Sequence, residues 1–93
     1  MLFMPAVLIY TLAKCPYCAD AKRLLNSYGV DFDEIDVTSD EQMRAWLKMA
    51  TGFKTLPQTF IDSRAIGGYQ DLVELDNSGS LARMLHRQRI VPK

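Results

Sequence analysis

Two cysteines separated by two residues, Cys15 and Cys18, lie where an apolar strand is predicted to pass into a helix. The preceding residues, 6–10, have the length and composition of a strand. The following residues, 19–25, are strong helix formers with apolar side chains on one face. Pro16 suits the first helical turn, where a missing N–H costs no hydrogen bond. The chain must therefore fold so that a dithiol opens a helix directly after a strand.

The start of a helix favours a negatively charged sulfur at Cys15. The first N–H groups of a helix have no intrahelical partner, and together with the helix dipole they stabilise an anion. A disulfide is attacked by a thiolate, not by a thiol. Lys14 precedes Cys15 and can add positive charge, while Cys18 follows on the same helix face at i+3. This spacing predicts Cys15 as the exposed attacking sulfur and Cys18 as the more buried resolving sulfur.

Two cysteines are also compatible with a structural disulfide, half of a zinc site or a pair of inert core thiols. A disulfide between Cys15 and Cys18 would close almost no loop and would stabilise the fold little. A structural zinc ion takes about four ligands, whereas this chain has two cysteines and one histidine, His86, which lies far along the sequence. The pattern therefore favours redox chemistry, and no metal site is expected.

Length and charge narrow the class of protein. A chain of 93 residues is predicted to form one domain over residues 1–93. Its 11 basic and 11 acidic residues cancel, which argues against binding to nucleic acid or to an anionic membrane. The apolar start, residues 1–5, lacks the basic residues of a signal peptide. We therefore expect a cytoplasmic protein, where a Cys-x-x-Cys motif is more often catalytic than structural.

After the first helix, the sequence predicts a second strand and a second helix. Residues 30–37 alternate apolar with acidic side chains, which is the pattern of a half-buried strand. Residues 38–41 supply N-cap candidates and acidic side chains for a helix that ends at Gly52. Its apolar side chains at helical spacing are expected to face the core: Met43, Trp46, Leu47 and Ala50.

The second half of the chain predicts a hairpin and a last helix. Residues 58–61 and 64–66 form short strands joined by a tight turn at Asp62-Ser63. A helix is predicted from Asp71 onward, with a pause at residues 77–79. The order β-α-β-α-β-β-α implies one parallel strand pair and one antiparallel hairpin. It therefore predicts an α/β fold in which helices flank a small four-stranded mixed sheet.

Three motifs of this chain closely resemble those of the dithiol glutaredoxins and occur in the same order. They are Cys15-Pro16-Tyr17-Cys18, Thr55-Leu56-Pro57-Gln58 and Gly67-Gly68-Tyr69-Gln70-Asp71. The resemblance implies a thioredoxin-like fold, in agreement with the order of elements. It also implies a glutathione-dependent thiol–disulfide oxidoreductase that reduces protein disulfides and protein–glutathione mixed disulfides and holds no tightly bound cofactor. In it, Cys15 is the nucleophile and Cys18 the resolving thiol.

The same resemblance implies a glutathione site. In the family, the proline equivalent to Pro57 takes a cis peptide bond opposite the attacking cysteine, so that the Leu56 backbone faces the thiol substrate. The γ-glutamyl carboxylate is expected on the N–H groups near Gln70, with its ammonium near Asp71. The predicted glutathione contacts are Lys14, Tyr17, Lys54, Thr55, Leu56, Pro57, Gly68, Gln70 and Asp71.

This chain departs from the family's pattern at two positions. Many glutaredoxins carry a lysine where this chain has Leu12, and that lysine contacts the glycine carboxylate of glutathione. A second family position is often Gln or Arg, and here it is Phe53. Lys14 and Lys54 are the neighbouring cations, and we expect them to take over part of this role.

Two other functions stay open on the sequence. One is a thioredoxin-like electron donor, for example to ribonucleotide reductase, which a flavoprotein reductase would recharge. The Gly67–Asp71 motif argues against it because it resembles a glutathione site. The other is a carrier of a [2Fe–2S] cluster bridged between two subunits by Cys15 and glutathione, for which Pro16 is unfavourable in the family. In the favoured function, the partners are glutathione and disulfide-containing or glutathionylated proteins, and the protein is a monomer.

Overall fold

A computed structural model describes residues 5–89, so part of the apolar start, residues 1–4, lies outside the described residues. The strands are β1 (Val7–Thr11), β2 (Asp33–Asp36), β3 (Gln58–Ile61) and β4 (Arg64–Gly67). The helices are α1 (Pro16–Asn26), α2 (Glu41–Thr51), α3 (Tyr69–Ser78) and α4 (Ser80–Leu85). The strands pair in the order β2-β1-β3-β4, with β1 and β2 parallel and the other pairs antiparallel. The predicted fold class is confirmed.

The central strand β1 separates two apolar clusters, because successive side chains of a strand point to opposite faces of the sheet. On one face, Ile9 packs with Leu25 of α1 and Leu72 of α3, and all three are fully buried. On the other face, Tyr10 packs with Val37 and with Leu47 of α2. Helices therefore cover both faces of the sheet. The carboxyl end of β1 leads directly to the segment that contains Cys15.

The second strand is shorter and more exposed than predicted. The sequence predicts a half-buried strand over residues 30–37, but β2 spans only Asp33–Asp36, and all four of its residues are exposed. Because β2 is an edge strand, it has a neighbour on one side only. The buried apolar residues of this segment are Val30 and Val37, which flank the strand. The alternating pattern therefore predicted the burial of Val30 and Val37 correctly, but it predicted a longer and more buried strand between them than the structure has.

The second helix buries fewer residues than its apolar pattern predicts. Asp40 caps it as expected, because its carboxylate accepts a hydrogen bond from the Met43 N–H at 2.9 Å. Leu47 is buried and Met43 is half-buried, but Trp46 is 52% exposed and Ala50 is exposed. The expectation that all four face the core is therefore wrong for Trp46 and Ala50. Only a narrow stripe of α2 meets the sheet, so the sides of the helix remain in solvent.

The hairpin and the last two helices agree with their predictions. Asp62 and Ser63 join β3 to β4 with φ angles of 50° and 66°, which two central residues of a type I′ turn adopt. The predicted pause falls at Gly79, whose φ of 83° separates α3 from α4. The helix before this break, α3, starts at Tyr69, two residues earlier than predicted. No helix within residues 5–89 is long and apolar enough to cross a membrane.

The burial of Leu25 makes a direct test of the core. We expect Leu25→Ala to lower the free energy of unfolding by about 2–5 kcal/mol, because it removes a fully buried side chain and leaves a cavity. Leu24→Ala, at the adjacent and only half-buried position of α1, is the matched control and should cost less. Urea denaturation with an unchanged m-value measures both. Equal losses at the two positions would contradict the assigned packing.

Candidate active site

The dithiol lies at the start of α1, as predicted. Cys15 is the N-cap residue, and its Sγ accepts a hydrogen bond from the Cys18 N–H at 3.2 Å. Pro16 occupies the first helical turn. Lys14, with a φ of 56°, turns the chain from β1 into the helix. The Cys15 sulfur is thereby held against the unpaired N–H groups of the helix start, where a thiolate is favoured.

The two sulfurs differ in exposure, and the buried one has a raised pKa. Cys15 is partly exposed and Cys18 is 2% exposed, and both are free thiols. Burial raises the pKa of Cys18 to about 11, and the adjacent Cys15 acts in the same direction. A hydrogen bond from the Leu12 backbone and the charge of Lys22 oppose this rise in pKa. At neutral pH, Cys18 is therefore a protonated thiol behind the accessible sulfur of Cys15.

A cleft of about 420 Å³ lies between the start of α1, the loop before β3 and the start of α3. It brings together most of the predicted glutathione contacts, namely Tyr17, Thr55, Leu56, Pro57, Gly68, Gln70 and Asp71. The peptide bond between Leu56 and Pro57 is cis, as the resemblance implies. Residues that are far apart in the sequence thus line one concave surface. Tyr17 of α1, which follows Cys15 by two positions, is the lining residue nearest to Cys15 in the sequence.

The start of α3 can bind an anion. Gly67 has a φ of 117°, and a Cβ atom there would lie 2.8 Å from Cγ of Asp71, so this position requires glycine. The Asp71 carboxylate accepts a hydrogen bond from the Gly68 N–H at 2.9 Å. The Leu72 N–H is bonded to the Gly68 carbonyl oxygen at 3.1 Å. The N–H groups before Leu72 belong to the first turn, and such groups bind carboxylates in line with the helix dipole.

Three further residues line this cleft and were absent from the predicted contacts: Phe53, Gln58 and Tyr69. The Tyr69 ring lies 6.1 Å from that of Tyr17, centroid to centroid, so two aromatic rings form one wall. Gln58 is buried, and its Nε2 donates to the Thr55 carbonyl oxygen at 2.5 Å. Gln58 and Tyr69 belong to the quoted motifs, which could have identified them. Phe53 lies outside these motifs, at a position where the chain departs from the family's pattern.

The two predicted lysine contacts lie outside this cleft. Lys54 lines a neighbouring cleft of about 550 Å³ together with Leu12 and Phe53. Lys14 lines another, of about 490 Å³, together with Cys15 and Cys18. The dithiol itself lines the cleft that Lys14 borders, and Lys54 borders a different cleft. Among residues 5–89, no three His, Cys, Asp or Glu side chains group as a metal site.

Comparisons with known proteins agree on one family. The glutaredoxin family model matches residues 7–66. A glutaredoxin of Pseudomonas aeruginosa is 45% identical over 82 residues, which cover 88% of this chain and 98% of that protein. Glutaredoxin 1 of Rickettsia typhi is 43% identical over 84 residues, covering 88% and 81%. The crystal structure of a buckwheat glutaredoxin–glutathione complex has a TM-score of 0.83 at 27% identity, covering 88% of this chain and 77% of that chain.

The raised pKa of Cys18 can be tested by alkylation. In the reduced, folded protein we expect Cys18 to resist iodoacetamide up to about pH 10, because it stays protonated and buried. Urea-unfolded protein is the control, since its thiols have ordinary pKa values and both should react near pH 9. Mass spectrometry of the adducts measures the difference. Equal modification of Cys18 in the two states would contradict the raised pKa.

The same shift links folding to pH. Folding raises the pKa of Cys18 from 9.0 to about 11, so the folded state holds this proton more tightly. The contribution to stability is therefore present below about pH 9 and is lost as the pH rises towards about 11. We expect the unfolding free energy of the reduced wild type, relative to that of Cys18→Ala, to fall over this range. A constant difference would contradict the linkage.

Proposed function

The chain belongs to the glutaredoxin family of glutathione-dependent thiol–disulfide oxidoreductases, and we propose that Cys15 is its attacking sulfur and Cys18 its resolving sulfur. The main support is the contrast between the two thiols. Cys15 is accessible and caps a helix, whereas Cys18 is buried and has a raised pKa. Only a thiolate attacks a disulfide at a useful rate, so the first attack belongs to Cys15.

The proposed first step transfers glutathione to the enzyme. The Cys15 thiolate attacks the glutathione sulfur of a protein–glutathione mixed disulfide, and the protein thiolate leaves. A new disulfide then joins Cys15 to glutathione. In the monothiol route, a second glutathione thiolate attacks this disulfide, which forms oxidised glutathione and restores the Cys15 thiolate. The N–H groups at the start of α1 stabilise the anion at both ends of this cycle.

In the dithiol route, Cys15 attacks a disulfide of a protein substrate. Cys18 then attacks the resulting mixed disulfide at the Cys15 sulfur, so that an intramolecular disulfide forms and the reduced substrate leaves. Two glutathione molecules later reduce the Cys15–Cys18 disulfide. The two sulfurs lie three residues apart at one helix start, with the Cys18 N–H already bonded to the Cys15 sulfur. This proximity supports ring closure.

We propose that glutathione lies in the cleft between Tyr17 and Asp71. Its γ-glutamyl carboxylate would meet the N–H groups at the start of α3, and its ammonium would meet the Asp71 carboxylate. The backbone of Leu56 would pair with its peptide groups. Lys54 is adjacent to Thr55, which lines this cleft, and Lys14 is adjacent to Cys15. We propose that these two lysines approach the glycyl carboxylate from the borders of the site.

Glutathione is the co-substrate, and we propose that the other partners are proteins that carry a disulfide or a glutathione adduct. Ribonucleotide reductase is one candidate of this class. The family matches do not favour a thioredoxin-like donor or an iron–sulfur carrier. We further propose that the protein acts in the cytoplasm, because a dithiol that works as a reductant needs a reducing compartment. We also propose that it is a monomer.

Serine substitutions separate the roles of the two cysteines. With a glutathione mixed disulfide, glutathione, glutathione reductase and NADPH, we expect no turnover by Cys15→Ser, because the nucleophile is lost. Cys18→Ser should retain most of this activity and lose reduction of protein disulfides, because only the dithiol route needs the second thiol. NADPH oxidation measures both reactions. An inactive Cys18→Ser in the mixed-disulfide assay would refute the assignment of roles.

The Asp71 carboxylate tests the glutathione site. Asp71→Asn keeps an oxygen for the Gly68 N–H and removes the negative charge, so the start of α3 should persist. We expect the KM for glutathione to rise roughly three- to tenfold with little change in kcat, as for a lost charge-assisted hydrogen bond. Glu74→Gln, at an exposed position of the same helix, is the matched control. An unchanged KM in Asp71→Asn would place the ammonium elsewhere.

A further inference from the structure

A set of polar side chains links β1, β2 and α1 beside the dithiol. The Thr11 hydroxyl donates a hydrogen bond to Oε2 of Glu34 at 2.7 Å. The Lys22 ammonium donates to both carboxylate oxygens of Glu34, at 3.0 and 3.2 Å. Thr11 is 1% exposed, so the carboxylate is anchored to a rigid part of the sheet. Lys22 is thereby held in one place, although a third of its side chain remains accessible.

This anchored lysine lies beside the resolving thiol. Lys22 follows Cys18 by four residues in α1, and side chains at this spacing are neighbours on one helix face, about 5–6 Å apart at their Cβ atoms. Both line the 490 Å³ cleft next to the dithiol, together with Cys15 and Glu34. That cleft shares no lining residue with the proposed glutathione cleft. Lys22 and Cys18 therefore share a cleft that is separate from the one lined by Tyr17 and Asp71.

We propose that Lys22, held by Glu34 and Thr11, is a positioning residue for the resolving step. It places a positive charge beside Cys18 and stabilises the thiolate that attacks a mixed disulfide at the Cys15 sulfur, whether the other half of that disulfide is a substrate protein or glutathione. This role rests on the proposed function and adds a residue that acts in the dithiol route alone. The charge of Lys22 would explain how a buried thiol becomes a nucleophile without needing a buried base beside it.

The step balances without a further reactant. The Cys18 thiol gives its proton to water in the open cleft, and the thiolate attacks the Cys15 sulfur. The bond between Cys15 and Cys18 forms while the bond between Cys15 and glutathione breaks. Glutathione leaves with the electron pair of the broken bond and takes up a proton from solvent. Lys22 keeps its own proton throughout and acts only through its charge.

Of the charged groups that line this cleft, Lys22 is the one whose charge lowers the pKa of Cys18. Lys14, Glu34 and Asp36 also line it. Hydrogen bonds from Thr11 and then Lys22 lower the pKa of Glu34, so this carboxylate stays ionised at neutral pH and is a poor acceptor for the Cys18 proton. Asp36 is held by hydrogen bonds from Thr38, which lower its pKa. Burial and then Cys15 raise the pKa of Cys18, and the positive charge of Lys22 opposes this rise to a smaller extent.

The test measures closure of the Cys15–Cys18 disulfide after rapid mixing of reduced enzyme with oxidised glutathione, as a function of pH. We expect Lys22→Met to slow closure at neutral pH roughly three- to tenfold and to move the pH midpoint of the rate upward, as for loss of a partly screened charge at this distance. Lys22→Arg keeps the charge and the pair with Glu34, so it should restore most of the rate. Lys48→Met, at an exposed position of α2, is the matched control and should leave the rate unchanged.

The same Lys22 substitution made in a protein that lacks the Cys18 thiol separates this role from a structural one. In Cys18→Ser, which uses the monothiol route, Lys22→Met should cause no further loss of mixed-disulfide turnover. Equal losses with and without Cys18, or an unmoved pH midpoint in Lys22→Met, would overturn the proposal. Thermal unfolding of each variant confirms that it is folded. If the wild type itself fails to turn over the mixed disulfide, the proposed function fails instead, and that outcome is visible before any Lys22 variant is made.

Discussion

The site depends on one contact at the end of the central strand, the hydrogen bond from the Cys18 N–H to the Cys15 sulfur. A sulfur fills the N-cap position that Ser, Thr, Asp or Asn usually occupies. One interaction therefore both caps the helix and holds the accessible sulfur of Cys15 at its start. Because β1 is central in the sheet and α1 packs on it through Leu25, the sulfur is held on rigid elements.

The surroundings of this contact divide the chemistry between two sides. On one side, the cleft between Tyr17 and Asp71 offers aromatic walls, a strand-like backbone and a helix start. These features suit a peptide with a carboxylate. On the other side, the pair of Lys22 and Glu34 lies next to the buried Cys18. In the proposed function, substrate binding and activation of the second thiol therefore use different clefts.

Local patterns predicted the elements well where neighbouring residues alone set the structure. The strand, turn and helix around Cys15, the tight turn at Asp62 and the break at Gly79 follow from short-range sterics and hydrogen bonding. The errors lie where packing decides. Trp46 has the spacing of a core residue, yet the sheet reaches only a narrow stripe of α2. The alternation in residues 30–37 could not show that an edge position leaves Asp33–Asp36 exposed.

The sequence by itself determined the family, the dithiol and the motifs of the site, because each is a short run whose residue types carry their own chemistry. Only the tertiary structure decided which side chains meet. It grouped Phe53 and Tyr69 with the predicted contacts and placed Lys14 and Lys54 at separate clefts. It also joined Lys22 to Glu34 across a helix and an edge strand. This last contact depends on the register of β2 against β1, which no local pattern specifies.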